Sequence, residues 1–415
     1  MLKAPPSDTS SGKESNVSYY SKLYPAVFAS AQDCFLYDSG GHRYIDFFCA
    51  AGSLNYGHNP PRAREALLNY LDAKGVIASL DMLTEARTTF VSRFHEAILA
   101  PRNFSYRIHV TAPTGADAVE AALKLARKVT GRRTVAYMEG SFHGVTLGAL
   151  SVTDYPHVRG AAGIPFEHTL RLPFDNPTRD ADDNLSIISA LLGLSSTELP
   201  AALIVETVQA EGGLRAARPE WLIGLQKLLR ERGILLIVDD IQVGCGRTGT
   251  FFSFDGLPLA PDIVCLSKSL SGIGIPLSAV LLRPELDVWE PGEHTGTFRG
   301  NNLGFVAAAA MLDLWLDESF VAHIDDLDTL FSSLSHSLLA SHPDKIVGIR
   351  GRGLALGLEF QEPTCANAVM RDAFKFGLMI ETSGFRGEVL KIYPPLTASE
   401  EVMREAFSVL SKILH

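Results

Sequence analysis

Apolar positions change their period several times along the chain, and each change predicts an element. From Arg107 onward, short aliphatic runs alternate with amphipathic stretches. RIHVTAP, RTVAYMEG, ALIVETV, GILLIVDD, DIVCLS and PLSAVLL read as strands, whereas GADAVEAALKLARKVTG and ARPEWLIGLQKLLRERG place apolar residues at helical spacing. Strands that are apolar nearly throughout have no face to offer water. They predict a parallel or largely parallel sheet covered by helices on both sides.

The flanks read differently. FLYDSGGHRYIDFF is a hairpin pattern turning at DSGG, REALLNYLDAKG is an amphipathic helix ending near Gly75, and another helical stretch starts at about Met82. After HTGTFRGNN a helical run begins at Phe305; ALGLEF, LMIETS and VLKIYPPLT then read as strands of a smaller α+β region closed by a terminal helix. The expected division is a flexible leader (1–15), an N-terminal segment (16–60) that joins the small domain in space, a large domain (61–310) and a small C-terminal domain (311–415).

A chain of 415 residues, 46% hydrophobic and 20% charged, is large enough for roughly two to three globular domains and too apolar to be disordered. Its 37 basic and 47 acidic residues leave a net charge of −10, which gives no electrostatic case for nucleic acid as partner. Cys34, Cys49, Cys245, Cys265 and Cys365 are an odd, scattered set without a CxxC pair, so a reducing, cytoplasmic setting without a metal site is expected. MLKAPPSDTSSGKESN has no apolar core of the signal-peptide kind, and no run reaches the roughly 18 apolar residues that span a membrane.

Candidate chemistry gathers at strand ends, where open α/β sheets bind their ligands. Asp239 ends GILLIVD and Lys268 follows DIVCLS. A lone lysine there is more often a solvated side chain, and a lone acid often only caps a loop. Together they offer an amine that can attach an aldehyde cofactor and carry a proton, and a carboxylate that can keep a ring nitrogen protonated. Gly115 and Ala116 open a strong helix, a common turn that can also cradle a phosphate. Phe142 and His143 in GSFHG, Thr297 in HTGTF, Glu206 and Glu211 in VETVQAEGG, and Lys391 in VLKIYPPLT complete the candidates.

VDDIQVGCGRTGTFFSF, SKSLSGIGIPLSAV, GADAVEAALKLAR, EGSFHG and GEHTGTFRGNN resemble, over about residues 15 to 410, the class III or omega aminotransferases. The resemblance implies an α/β, fold-type I pyridoxal-phosphate transferase with a large, mostly parallel-sheet domain and a smaller α+β domain. It implies pyridoxal 5'-phosphate as cofactor, small amino-acid and oxo-acid substrates, and a homodimer or higher assembly whose subunits share active sites. By the same resemblance Lys268 attaches the cofactor, Asp239 faces the pyridinium nitrogen, Gln242 lies near the phenolic oxygen and Ile241 beneath the ring. Gly115 and Ala116 take the phosphate, Phe142 stacks on the ring with His143 beside it, and Thr297 reaches the other subunit's cofactor. On the substrate side Glu211, with Glu206 nearby, pairs with a cation or yields it to glutamate.

Three positions depart from that pattern. Asp239 and Asp240 stand in place of the usual Asp-Glu pair, so that Asp240 shortens the second acid, and Asp117 replaces a commoner Glu. Lys391 occupies the place of an arginine that clamps the α-carboxylate, and a lysine lacks the planar bidentate fork. ESNVSYYSKLYPAVF, YIDFFCAAGSLNYGHNPP and SLDMLTEA narrow the resemblance to the diaminobutyrate–2-oxoglutarate branch of ectoine-type, siderophore or peptide-antibiotic pathways. That branch moves the amino group of L-glutamate to L-aspartate 4-semialdehyde. Alternatives are another terminal-amine transaminase, acting on ornithine, 4-aminobutyrate or an unusual diamino acid, and a cofactor-binding protein without turnover.

Overall fold

A computed structural model describes residues 13–194 and 199–415, so most of the expected leader lies outside the described residues. Its centre is a seven-stranded sheet made of β1 (Arg107–Val110), β2 (Val135–Met138), β3 (Thr169–Leu172), β4 (Ala202–Val205), β5 (Leu235–Asp239), β6 (Ile263–Leu266) and β7 (Ala279–Leu282). The strand order is β1-β7-β6-β5-β4-β2-β3. Pairing is parallel from β6 through to β3, and only β7 runs against its neighbours. PLSAVLL therefore continues the sheet antiparallel.

The apolar runs are explained by burial on both faces. In β5, Leu236 and Val238 enter one core with Phe252, Trp221 and Phe305, while Ile237 enters a second beneath helix α1 (Gly115–Thr130). Alternate side chains of a strand point to opposite faces, so both sets must be apolar. Several strands escaped the sequence pattern, Phe28–Gln32 among them. TLRL in β3 is half polar at the sheet edge, and IVGIRGR (Ile346–Arg352) is interrupted by two glycines.

The hairpin expected at DSGG joins Phe35–Asp38 to Arg43–Asp46, and the latter strand pairs in parallel with Leu378–Met379. Ile45 and Phe47 enter the same core as Phe331, Leu358, Ile392 and Phe407. A separate antiparallel sheet orders Ile346–Arg352, Ala355–Phe360, Val389–Ile392 and Glu381–Ser383. The helical run expected from Phe305 starts at Asn302, because the Asn301 side chain caps it by accepting from the Gly304 amide. This helix packs on Pro61–Asp72 and Glu85–Phe94.

Arg247 fastens these parts to one another. Wholly buried, it donates to Asn55 Oδ1 at 2.7 and 3.1 Å, to the Leu354 carbonyl at 3.1 Å and to the Pro394 carbonyl at 2.6 Å. One guanidinium thus ties the loop after β5 to the N-terminal segment and to both sides of the C-terminal sheet. Among the described residues no helix is long and apolar enough to cross a membrane.

Candidate active site

The carboxyl ends of β2, β4, β5 and β6 surround a cavity of about 180 Å³. Gly115, Ala116, Phe142, His143, Glu206, Glu211, Asp239, Ile241, Gln242 and Lys268 all line it. Residues far apart in sequence meet because parallel strands deliver their following loops to one edge of the sheet. Lys391 stands behind this wall, joined to Glu211. Thr297 does not line the cavity; it is exposed on the loop that carries Phe298.

Lys268 is half-buried and adopts a left-handed backbone, φ 49°. Non-glycine residues avoid that region, so the chain here is strained where the amine is presented. Its Nζ donates to the Ala51 carbonyl at 2.9 Å. Ala51 belongs to a turn in which Cys49, Ala50 and Ala51 are all left-handed, with φ 49°, 45° and 56°. Asp46 holds that turn by accepting from the Phe48 and Cys49 amides at 3.0 and 2.8 Å. Burial lowers the Lys268 amine to about 8, against the opposing pull of Glu211.

Asp239 is buried with one oxygen 2.7 Å from His143 Nδ1 and the other accepting from the Ile241 amide at 3.1 Å. Among the described residues His143 Nε2 is buried without a partner. Glu206 accepts from the Phe142 amide at 3.0 Å, and burial with the nearby Asp239 charge pushes its carboxyl well above the ordinary range. Asp240 points away, accepting from the Ser253 amide at 3.1 Å, and burial pushes it up to about 7.

A second group forms the outer wall. Lys391 Nζ lies 2.7 Å from Glu211 Oε1 and 2.9 Å from Glu381 Oε2. Gln242 Nε2 donates to Glu211 Oε1 at 3.1 Å, and the Tyr393 hydroxyl donates to Gln242 Oε1 at 3.2 Å. Burial acts against the Glu211 charge, but Lys391 and Lys268 outweigh it and hold this carboxyl below its usual value. Phe142 packs edge-on against Tyr155, and Tyr155 against Phe385.

Sequence reasoning missed Ala51, Tyr155 and Glu381. Glu381 could have been found from the register of LMIETS on VLKIYPP, since it faces Lys391 across that strand pair; a tripeptide CAA gives no sign of a left-handed turn. In cofactor-free protein, the rate at which Lys268 captures a small aldehyde should rise with pH and level off near 8. Peptide mapping of the labelled protein checks this, and a rate still climbing toward about 10, as for an ordinary lysine, would contradict it.

The family model for aminotransferase class-III matches residues 18–414. The diaminobutyrate–2-oxoglutarate transaminase of Oceanobacillus iheyensis is 46% identical over 401 residues, covering 96% of this chain and 94% of that protein. The enzyme of the same name from Streptomyces anulatus is 48% identical over 405 residues, covering 96% and 95%. Among solved structures, the ornithine aminotransferase of Toxoplasma gondii superposes with a TM-score of 0.84 at 28% identity, covering 97% of this chain and 92% of that one. A family match over nearly the whole length, on a fold that gathers the expected lysine and aspartate at one cavity, leads to one conclusion: this chain belongs to the class III aminotransferases, which are pyridoxal-phosphate-dependent enzymes.

Proposed function

We propose that the protein transfers the amino group of L-glutamate to L-aspartate 4-semialdehyde, giving L-2,4-diaminobutyrate and 2-oxoglutarate. The observation that carries this reading is the pairing of relatives named for that reaction, at 46–48% identity over 96% of the chain, with a cavity lined by both Lys268 and Glu211, the latter joined to Lys391. We further assign the cavity residues to the cofactor. Its chemistry would be to draw electrons from the carbon beside the substrate nitrogen.

Several features support the fit. The first amides of α1, at Gly115 and Ala116, have no acceptor within the helix and can take a phosphate. A Cβ at Gly115 would meet the Ile241 side chain at 3.1 and 3.2 Å, so a larger residue would crowd the cradle. Asp239, held by His143 and the Ile241 amide, would keep a ring nitrogen protonated. Phe142 and Gln242 also line the cavity and would offer it a ring and an amide.

Lys268 would attach the cofactor, and its amine, once freed by substrate, would take a proton from the carbon bearing the nitrogen and return it nearby. An amine near 8 can do both at neutral pH. Glu211 and Lys391 would share the far end of the substrate, with Lys391 as a point charge for a carboxylate. Glu206, its carboxyl pushed up by burial and by the Asp239 charge, would lie beside Asp239.

We also propose a cytoplasmic homodimer, in an ectoine-type pathway, with the chain divided into 16–60 plus 311–415 and 61–310. Ile77, Leu80, Met82, Leu83 and Phe298 are exposed, and the Ala78–Asn301 bridge brings their two segments side by side. Such a contiguous apolar patch suits a second subunit, and Thr297, beside Phe298, would then reach the partner's cavity. Four of the five free cysteines are buried and none is paired, which suits a reducing compartment.

Mixing the loaded enzyme separately with L-2,4-diaminobutyrate, L-glutamate, ornithine and 4-aminobutyrate, and following the cofactor absorbance in a single turnover, tests the substrates. Diaminobutyrate and glutamate should react fastest, and aspartate semialdehyde should restore the starting spectrum. A preference for ornithine or 4-aminobutyrate would move the enzyme to another substrate, and no spectral response would favour a protein without turnover. Sedimentation should give a dimer, which Leu83→Glu with Phe298→Glu dissociates with loss of activity; a fully active monomer would contradict it.

A further inference from the structure

Glu381 lies directly opposite Lys391 on adjacent antiparallel strands, and both side chains are buried. Lys391 divides its ammonium between two acids, 2.7 Å from Glu211 and 2.9 Å from Glu381, and stands 5.4 Å from the centre of the Tyr393 ring. The Tyr20 hydroxyl donates to the other oxygen of Glu381 at 3.0 Å. An ammonium has three donors; one goes to Glu211, while the Glu381 contact is an ion pair whose Oε2 has no hydrogen-bond partner among the described residues, so donor capacity remains for a ligand.

The charges in this wall do not balance. Glu211 is served by Lys391, Lys268 and Gln242, whereas among the described residues the only cation on Glu381 is the one it shares with Glu211. Burial, with repulsion from Glu211, outweighs Lys391 and Tyr20 and holds the Glu381 carboxyl above its usual value, so its charge is the least compensated in the wall. When a terminal amine reacts at Lys268, the other end of the substrate must rest against this group. A bare carboxylate there meets the surplus negative charge, whereas a carboxylate with an ammonium beside it answers that charge.

We propose that Glu381 is a specificity-determining residue. Acting through the Lys391–Glu211 pair, it favours, among substrates that react at a terminal amine, those whose distal end carries an ammonium as well as a carboxylate. This rests on the reading above that a terminal amine is the reacting group.

L-2,4-diaminobutyrate and 4-aminobutyrate differ only in that distal ammonium, which makes them the test. With loaded enzyme, Glu381→Gln, which can still accept from Tyr20, should lower the diaminobutyrate-to-4-aminobutyrate ratio of half-reaction kcat/KM by about tenfold, through KM. Glutarate, a dicarboxylate with no amine to react, should bind about threefold tighter or more. Glu381→Asp should restore both values toward the wild type.

The opposite signs separate a charge effect from damage, because a loosened wall would weaken all three ligands together. That uniform weakening, or an unchanged ratio, would overturn the proposal. If the wild type fails to convert diaminobutyrate, the functional reading falls by itself, and the glutarate measurement still decides the role of Glu381.

Discussion

Lys268 sits where water is scarce and carboxyls are close, and these influences pull its amine in opposite directions. Burial penalises the ammonium, while Glu211, Glu381 and Asp239 favour it. Burial wins, and the amine settles at about 8. That outcome needs each nearby acid to be engaged by another group. Lys391 occupies Glu211 and Glu381, His143 faces Asp239, and Glu206 is pushed toward its neutral form while it accepts from the Phe142 amide. Without those partners the acids would turn toward Lys268 and hold its proton.

The same lysine explains an expensive piece of backbone. Left-handed geometry costs an L-residue roughly 1–2 kcal/mol, and Cys49, Ala50 and Ala51 adopt it in succession. The turn sets the Ala51 carbonyl against Lys268 and the Gly52 carbonyl against Ser269 Oγ, at 2.9 Å each. Asp46 fixes its entry, and Cys49 Sγ donates to the Tyr393 carbonyl at 3.0 Å. The N-terminal segment, the C-terminal sheet and the central sheet therefore meet around one amine. Arg247 locks the same three parts together a few residues away.

What could be read in the sequence follows from these constraints. The central strands were legible because burial on both faces leaves them almost wholly apolar; β3 and Ile346–Arg352 were not, since an edge position and glycines remove that signature. The cavity residues were legible as strand-end chemistry and through family motifs, and the fold brings all but Thr297 and Lys391 to one cavity wall. Lys391 stands just behind it. Glu381 was hidden because its meaning depends on strand register, which puts it opposite Lys391. The left-handed turn had no local signal, because Cys-Ala-Ala has no preference for that geometry and only tertiary contacts impose it.

The central claim is that Lys268 is the residue that holds the cofactor. Reducing the loaded enzyme with borohydride, which fixes the cofactor to its lysine, and mapping the labelled peptide by mass spectrometry tests it most directly. The account predicts one pyridoxyl group per chain, on Lys268 in the peptide that follows β6. A label on any other lysine, with Lys268 unmodified, would contradict it.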